Sequence, residues 1–474
     1  MMDGGAPRVT ATLAERIADW SSGLALGALP VDVVHAAKRC IVDVVGVALA
    51  AAAHPVTRRV LDHARQVYAP GAAGALGLPD RFSPVGAALV NGTAGHVLDF
   101  DDTSYTGIMH GSTVVLPAAL AATEEVGGDG RRLIEAFVAG SEVAYAVAML
   151  CGTRHYLSGW WSTATFGVFG AAAAAARALD LDASQTLAAL ALAGTQANGQ
   201  KVAFGTDAKP YIAGRTAAAG VEAALLARRG LAGPKAVLEG NCGFIQLLND
   251  RHANAGEIDH LGTLWRLVTP GIFFKQYPVC SGAHAAVELT RGLLRENGLT
   301  GDGVRKVVCE VTPVVAMSLV YDRPTTTQQS QFSMPFAVGA MLARGELGID
   351  SLDEATLGDP RVREAMDKVE MRRVDSLHAD EAPEGARVTI TTTRGNEIHG
   401  YLGQPTGMPG NPLTDAHLHQ KFLRCAKAGG IDDLRARELL VHLAALEEAP
   451  LAFAPFRQFM SLTPRHLVDA TARI

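Results

Sequence analysis

The chain has 474 residues, a formal net charge of −6 and 48% apolar side chains, of which few are aromatic. That length exceeds one ordinary core and points to two or three domains, while abundant Ala and Gly favour closely packed helices over a β-sandwich. The acidic balance and the lack of a long basic run argue against a nucleic-acid partner, so any bound anion must find local Lys or Arg.

Residues 1–8 (MMDGGAPR) carry no apolar signal core. From there to about residue 265 apolar residues recur at helical spacing. Helices are expected at 11–27, 31–53, 55–68, 85–99, 112–126, 131–150, 163–179, 183–198 and 214–229. The apolar stretches 41–53 and 163–179 are interrupted by Asp43 and Arg177, and neither fits a membrane span. The texture changes near Pro270. Residues 304–312 have the β-branched content of a strand, and 387–393 with 397–402 read as a hairpin across Arg394-Gly395-Asn396. Helical patterns at 284–296, 332–344 and 359–369 lie between, and helical spacing resumes at 414–426 and 432–446. The expected fold class is therefore mainly α: a large helical domain, an inserted α+β module, and a C-terminal return to the helices. Cys40, Cys151, Cys242, Cys280, Cys309 and Cys425 form no Cys-x-x-Cys pair. Zinc-ribbon and iron–sulfur patterns are missing, and reduced thiols in a cytoplasmic protein are expected.

Chemistry concentrates in four places. In residues 96–103 (HVLDFDDT), three carboxylates, a histidine and a hydroxyl fall within eight positions. Carboxylates so crowded repel one another, and some should hold their protons unless cations stand nearby. A helix over 85–99 would put His96 and Asp99 on one face, with Asp101, Asp102 and Thr103 at its exit. Asp101 and Asp102 are expected to hold the loop and His96 to pack behind it. His110 follows just before a helix, where the positive end of the dipole favours a neutral proton acceptor. Lys209 sits beside Pro210 in a turn-rich approach to the helix at Gly214, placed to clamp a carboxylate. Lys275, Cys280 and His284 fall within ten residues at the module's start, and Tyr321 lies in YDRP.

Together, HVLDFDDT, GWWSTAT followed by GAAAAAARALDLD, GTDAKP, KQYPVCSGAH and FSMPFAV make the chain resemble the MmgE/PrpD family over nearly its whole length. That family includes 2-methylcitrate dehydratases, cis-aconitate decarboxylases and iminodisuccinate epimerases. The resemblance implies an all-helical domain over 1–269 and 407–474, an α+β lid over 270–406, and a homodimer. It also implies chemistry on a small di- or tricarboxylate without metal or other cofactor. His96 with Asp99, Asp101 and Asp102 could otherwise hold a hard cation. The implied catalytic residues are Asp99, His110, Tyr321 and His284, with Thr103, Trp161, Lys209, Lys275 and Cys280 on the substrate. The simplest reaction is that of a 2-methylcitrate dehydratase-like hydro-lyase. Decarboxylation or epimerisation in the same site, or a silent carboxylate binder, are the alternatives. Two positions depart from the family's pattern: Trp161 and Ile212 stand where histidines are common.

Overall fold

The computed structural model describes residues 11–377 and 383–450, so residues 1–10 and the end of the expected 407–474 return lie outside the described residues. Helices dominate them, as the composition predicts. The Gly130–Cys151 helix is long and apolar enough to cross a membrane by length and composition alone, but its side chains are mostly buried among other helices. It packs on Gly167–Ala178, which in turn meets Ala208–Arg228. Every residue of the Ala171–Ala176 run is buried. Side chains this small let helix backbones approach closely and fill the space between them without voids.

One such approach sets up everything that follows. The Pro84–His96 helix crosses Ala208–Arg228 where Gly92 meets Gly214. A Cβ built on Gly214 would lie 2.3 Å from the Leu89 carbonyl oxygen, so only hydrogen fits there. The crossing brings the last turn of the first helix to the first turn of the second. Sequence alone starts that second helix at Gly214, but it begins six residues earlier, at Ala208. Pro210 sits in its first turn, where no backbone donor is needed, and so does not break it. Lys209 is thereby fixed on a helix rather than carried by a loop.

The first helix, conversely, stops at His96 instead of running to residue 99. Asp99 takes a left-handed backbone (φ 47°), and its amide donates to the His96 carbonyl at 2.9 Å. Helix 163–179 is in fact Ser162–Thr165 and Gly167–Ala178, interrupted at Phe166.

The α+β segment contains a four-stranded sheet in the spatial order Val369–Arg373, Val304–Val311, Ala386–Thr392, Glu397–Leu402. The first pair is parallel and the others antiparallel. The outer parallel strand follows directly on the Pro360–Asp367 helix, and its sequence VEMRR lacks the apolar alternation that marks the hairpin. The sheet packs against His284–Glu296 and Met334–Arg344. After it the chain returns: Asp415–Ala428 packs on Val31–Ala50, and Lys421 Nζ lies 2.7 Å from Asp43 Oδ1. The same ammonium donates to the Phe100 carbonyl at 2.6 Å.

Candidate active site

The geometry centres on Asp99, buried between two lysines. Lys209 Nζ donates to Oδ1 at 2.5 Å, and Lys275 Nζ donates to Oδ2 at 2.8 Å and to the Asp99 carbonyl at 2.7 Å. Burial by itself would raise the Asp99 pKa, but the two ammoniums outweigh it and hold the carboxyl well below its usual range. The lysines differ. Burial is the largest influence on both, yet Lys275, with two oxygens of Asp99 against it, is raised, whereas Lys209 is lowered. The second partner of Lys209 is a neutral imidazole: its Nζ lies 2.7 Å from His96 Nε2.

That contact fixes a chain of protons. An ammonium can only donate, so His96 Nε2 accepts and the imidazole proton sits on Nδ1. There it points at Asp101, 3.0 Å from each carboxylate oxygen. Burial, opposed by Asp101, pushes the His96 pKa down to about 4, so the ring is neutral near pH 7. His110 reaches the same carboxylate from the other side. Its Nδ1 is 3.1 Å from Asp101 Oδ2 and 3.0 Å from the Asp102 carbonyl. Burial would raise Asp101, but the two imidazoles outweigh it and keep it ionised. Asp102, facing Ser112 and Cys40, holds its proton because burial and Asp43 both disfavour its charge. Crowding is thus resolved as electrostatics requires, with two carboxylates ionised against cations and donors and the third neutral.

Between His96 and His110 this leaves one imidazole nitrogen free for chemistry. With its Nδ1 proton engaged by Asp101, His110 presents a bare Nε2, 3.9 Å from Asp99 Oδ1 and too far to bond it. At 12% its side chain is more exposed than those of Asp99, Asp101, His96, Lys209 or Lys275. His96, Asp99 and His110 have ligating atoms within 4.8 Å of one another, a spacing that suits a metal ion. The ammonium of Lys209 already lies against two of them, 2.5 Å from Asp99 and 2.7 Å from His96.

The remaining sequence candidates separate. Trp161 is fully buried, its ring 5.3 Å from His96 and 5.1 Å from Lys209 Nζ. With Phe204 and Phe332 it forms an apolar collar about that ammonium. Ile212 lines a neighbouring cavity of about 620 Å³ with Tyr211 and Arg215. Thr103 is spent on the loop: its hydroxyl donates to the Met109 carbonyl at 3.2 Å, while its backbone pairs with Phe273. Tyr321 donates to the Phe204 carbonyl at 2.9 Å, at the collar rather than at Asp99. His284 is buried against Phe273 and Tyr277, with Nε2 3.4 Å from the Val279 carbonyl and Nδ1 unpartnered. The Cys280 thiol is pushed up to about 12, mainly by burial and then by Asp99, and is no nucleophile in that state.

Two residues escaped the sequence reading. Asp101, assigned there to the loop, is the carboxylate shared by both histidines. Glu384 is buried and accepts from Ser281 at 2.7 Å and from the Tyr105 hydroxyl. Nothing in its local sequence marks it.

The profile of the MmgE/PrpD N-terminal domain matches residues 15–255, and that of the MmgE/PrpD C-terminal domain matches 277–445. The chain is 28% identical over 373 residues to the cis-aconitate decarboxylase of Homo sapiens, covering 76% of each. It is 26% identical to the Mus musculus cis-aconitate decarboxylase, over 87% of this chain and 86% of that one. The Aspergillus terreus cis-aconitate decarboxylase is 25% identical, with 89% and 91% covered.

Proposed function

This chain belongs to the MmgE/PrpD family, and from that premise we propose that it is a lyase that decarboxylates an unsaturated tricarboxylate of the cis-aconitate kind. Sequence alone put dehydration first. Similarity to cis-aconitate decarboxylases moves decarboxylation ahead of it. The observation that carries the reading is the bare His110 Nε2, backed by Asp101 and set beside an Asp99 clamped by Lys209 and Lys275.

In such a reaction the bond from carbon to one carboxylate breaks and carbon dioxide leaves. The electron pair delocalises through the double bond toward a remaining carboxylate, and one proton is returned to carbon. Lysines at that carboxylate stabilise the charge as it develops there. His110 is placed to deliver the proton, because Asp101 supports the ring when it carries a second proton. Each turnover therefore consumes one proton from solvent. The burial of Asp99, Lys209 and Lys275 supports an α+β segment that opens as a lid to admit substrate and closes to exclude water from the carbanion.

The test is incubation with cis-aconitate in deuterium oxide, followed by proton NMR and carbon dioxide release. Equal yields of carbon dioxide and a monodeuterated dicarboxylate are expected. Hydration or exchange without gas would place the protein among the dehydratases or epimerases, and no change in any citrate-like acid would make it a silent binder.

A further inference from the structure

The charges at the cluster already cancel: Asp99 and Asp101 are ionised, Lys209 and Lys275 are cationic, and both imidazoles are neutral. A tricarboxylate brings three further negative charges into this buried space, and placing them there without partners is costly. A cation beyond Lys209 and Lys275 is needed.

Among the described residues, Lys201 is the one lysine whose buried amino nitrogen has no hydrogen-bond acceptor. It rests 3.7 Å from the centroid of the Tyr156 ring. A cation–π contact recovers part of the lost hydration, but leaves three donors unused. Such an orphan is rare in a folded protein.

Its backbone runs beside the strip that carries Trp161. The Lys201 amide donates to the Gly159 carbonyl at 3.0 Å, and the Trp161 amide donates to the Gly199 carbonyl at 3.0 Å. Lys201 thus springs from the strip that seats Trp161 against Lys209. On its far side, Tyr156 bonds Ser318 of the α+β segment at 2.9 Å, so the ammonium sits where the two parts of the molecule meet.

We propose that Lys201 anchors a substrate carboxylate that Lys209 and Lys275 leave unmatched, and so selects a tricarboxylate over a dicarboxylate. This rests on the carboxylate-binding part of the preceding reading, but not on the reaction catalysed. Burial draws the Lys201 pKa down to about 8. The anchor therefore holds its charge at neutral pH and loses it in mild alkali.

The experiment uses tricarballylate, an unreactive tricarboxylate, and glutarate, with calorimetric binding to the whole protein. Lys201→Met should weaken tricarballylate binding by about 10- to 100-fold, as expected for one charge-assisted contact, and leave glutarate unchanged. Lys201→Arg should restore affinity. Its binding should stay constant from pH 7 to 9, while that of the parent falls, a difference that a merely structural lysine would not produce. Thermal melts of both variants establish that they fold. Parental tricarballylate binding by Lys201→Met, equal weakening of both acids, or no binding of tricarballylate by the parent would each overturn the proposal. Lys201-dependent binding without decarboxylation of cis-aconitate would sustain it and sink the proposed reaction.

Discussion

Lys209 Nζ and His96 Nε2 lie 2.7 Å apart, an ammonium donating to a neutral ring. The contact uses the lone pair that His96 would need as a base, so His96 orients Lys209 and does not move protons. In the proposed reaction that role falls to His110, whose Nε2 is free. His110→Gln is expected to lower kcat by about 10²- to 10⁴-fold, the usual range for general acid–base catalysis. His96→Gln, which can still accept from Lys209, should cost far less. Equal losses in steady-state assays with cis-aconitate would show that the two roles are misassigned.

Asp99 neutralises two buried ammoniums, and the loss of one partner from such a group is far more damaging than the loss of an exposed ion pair. Asp99→Asn should reduce unfolding free energy by about 3–5 kcal/mol, since Lys209 and Lys275 then face each other unscreened. Urea denaturation at pH 7 measures it. A variant as stable as the parent would mean that the lysines find other acceptors.

The Gly92–Gly214 crossing predicts a link between packing and rate. A methyl group at position 214 would meet the Leu89 carbonyl oxygen at 2.3 Å and Thr93 Oγ1 at 2.4 Å. Gly214→Ala should cost about 1–3 kcal/mol of stability by overpacking. It should also depress kcat, because the helices that carry His96 and Lys209 are forced apart. Stability lost with kcat intact would show that the site tolerates the shift.

His284 offers a pH test. Burial, followed by the charge of Lys275, pushes its pKa down to about 3. The folded value lies below the unfolded one, so its contribution is present above pH 6.5 and is lost as the pH falls toward 3. Relative to His284→Leu, the parent should lose about 2 kcal/mol between pH 6.5 and pH 5. The variant should keep its kcat, since the ring touches Phe273 and Tyr277 and not Asp99. A large fall in kcat would restore His284 to the catalytic set.

Much of this architecture was legible in the chain. Helical spacing located the helices from 31 to 150 to within a few residues, because amphipathic or fully buried runs with clear stops dictate them. The hairpin announced itself by alternating Val388 and Ile390 with Thr389 and Thr391. The strand Val369–Arg373 did not, since its charged residues mask any alternation. At the site, the resemblance to the family singled out Asp99, His110, Lys209 and Lys275, which the structure brings together. What spacing could not supply was direction. Asp101 turns inward to two imidazoles because the helix ends three residues before Asp99, and Lys201 gains its meaning only from the ring of Tyr156.

The return of Asp415–Ala428 to Val31–Ala50 has a consequence for synthesis. Lys421 grips Asp43 and the Phe100 carbonyl, immediately beside Asp99. A chain emerging N-terminal end first must expose that helical surface throughout the making of the entire α+β segment. The floor beneath Asp99 closes only when Asp415–Ala428 leaves the ribosome. Contacts of such long sequence separation form slowly, so the Asp99 cluster is completed only after residues 415–428 are made, and a nascent chain stalled within the sheet carries Asp99, His110, Lys209 and Lys275 without the helix that closes beneath them.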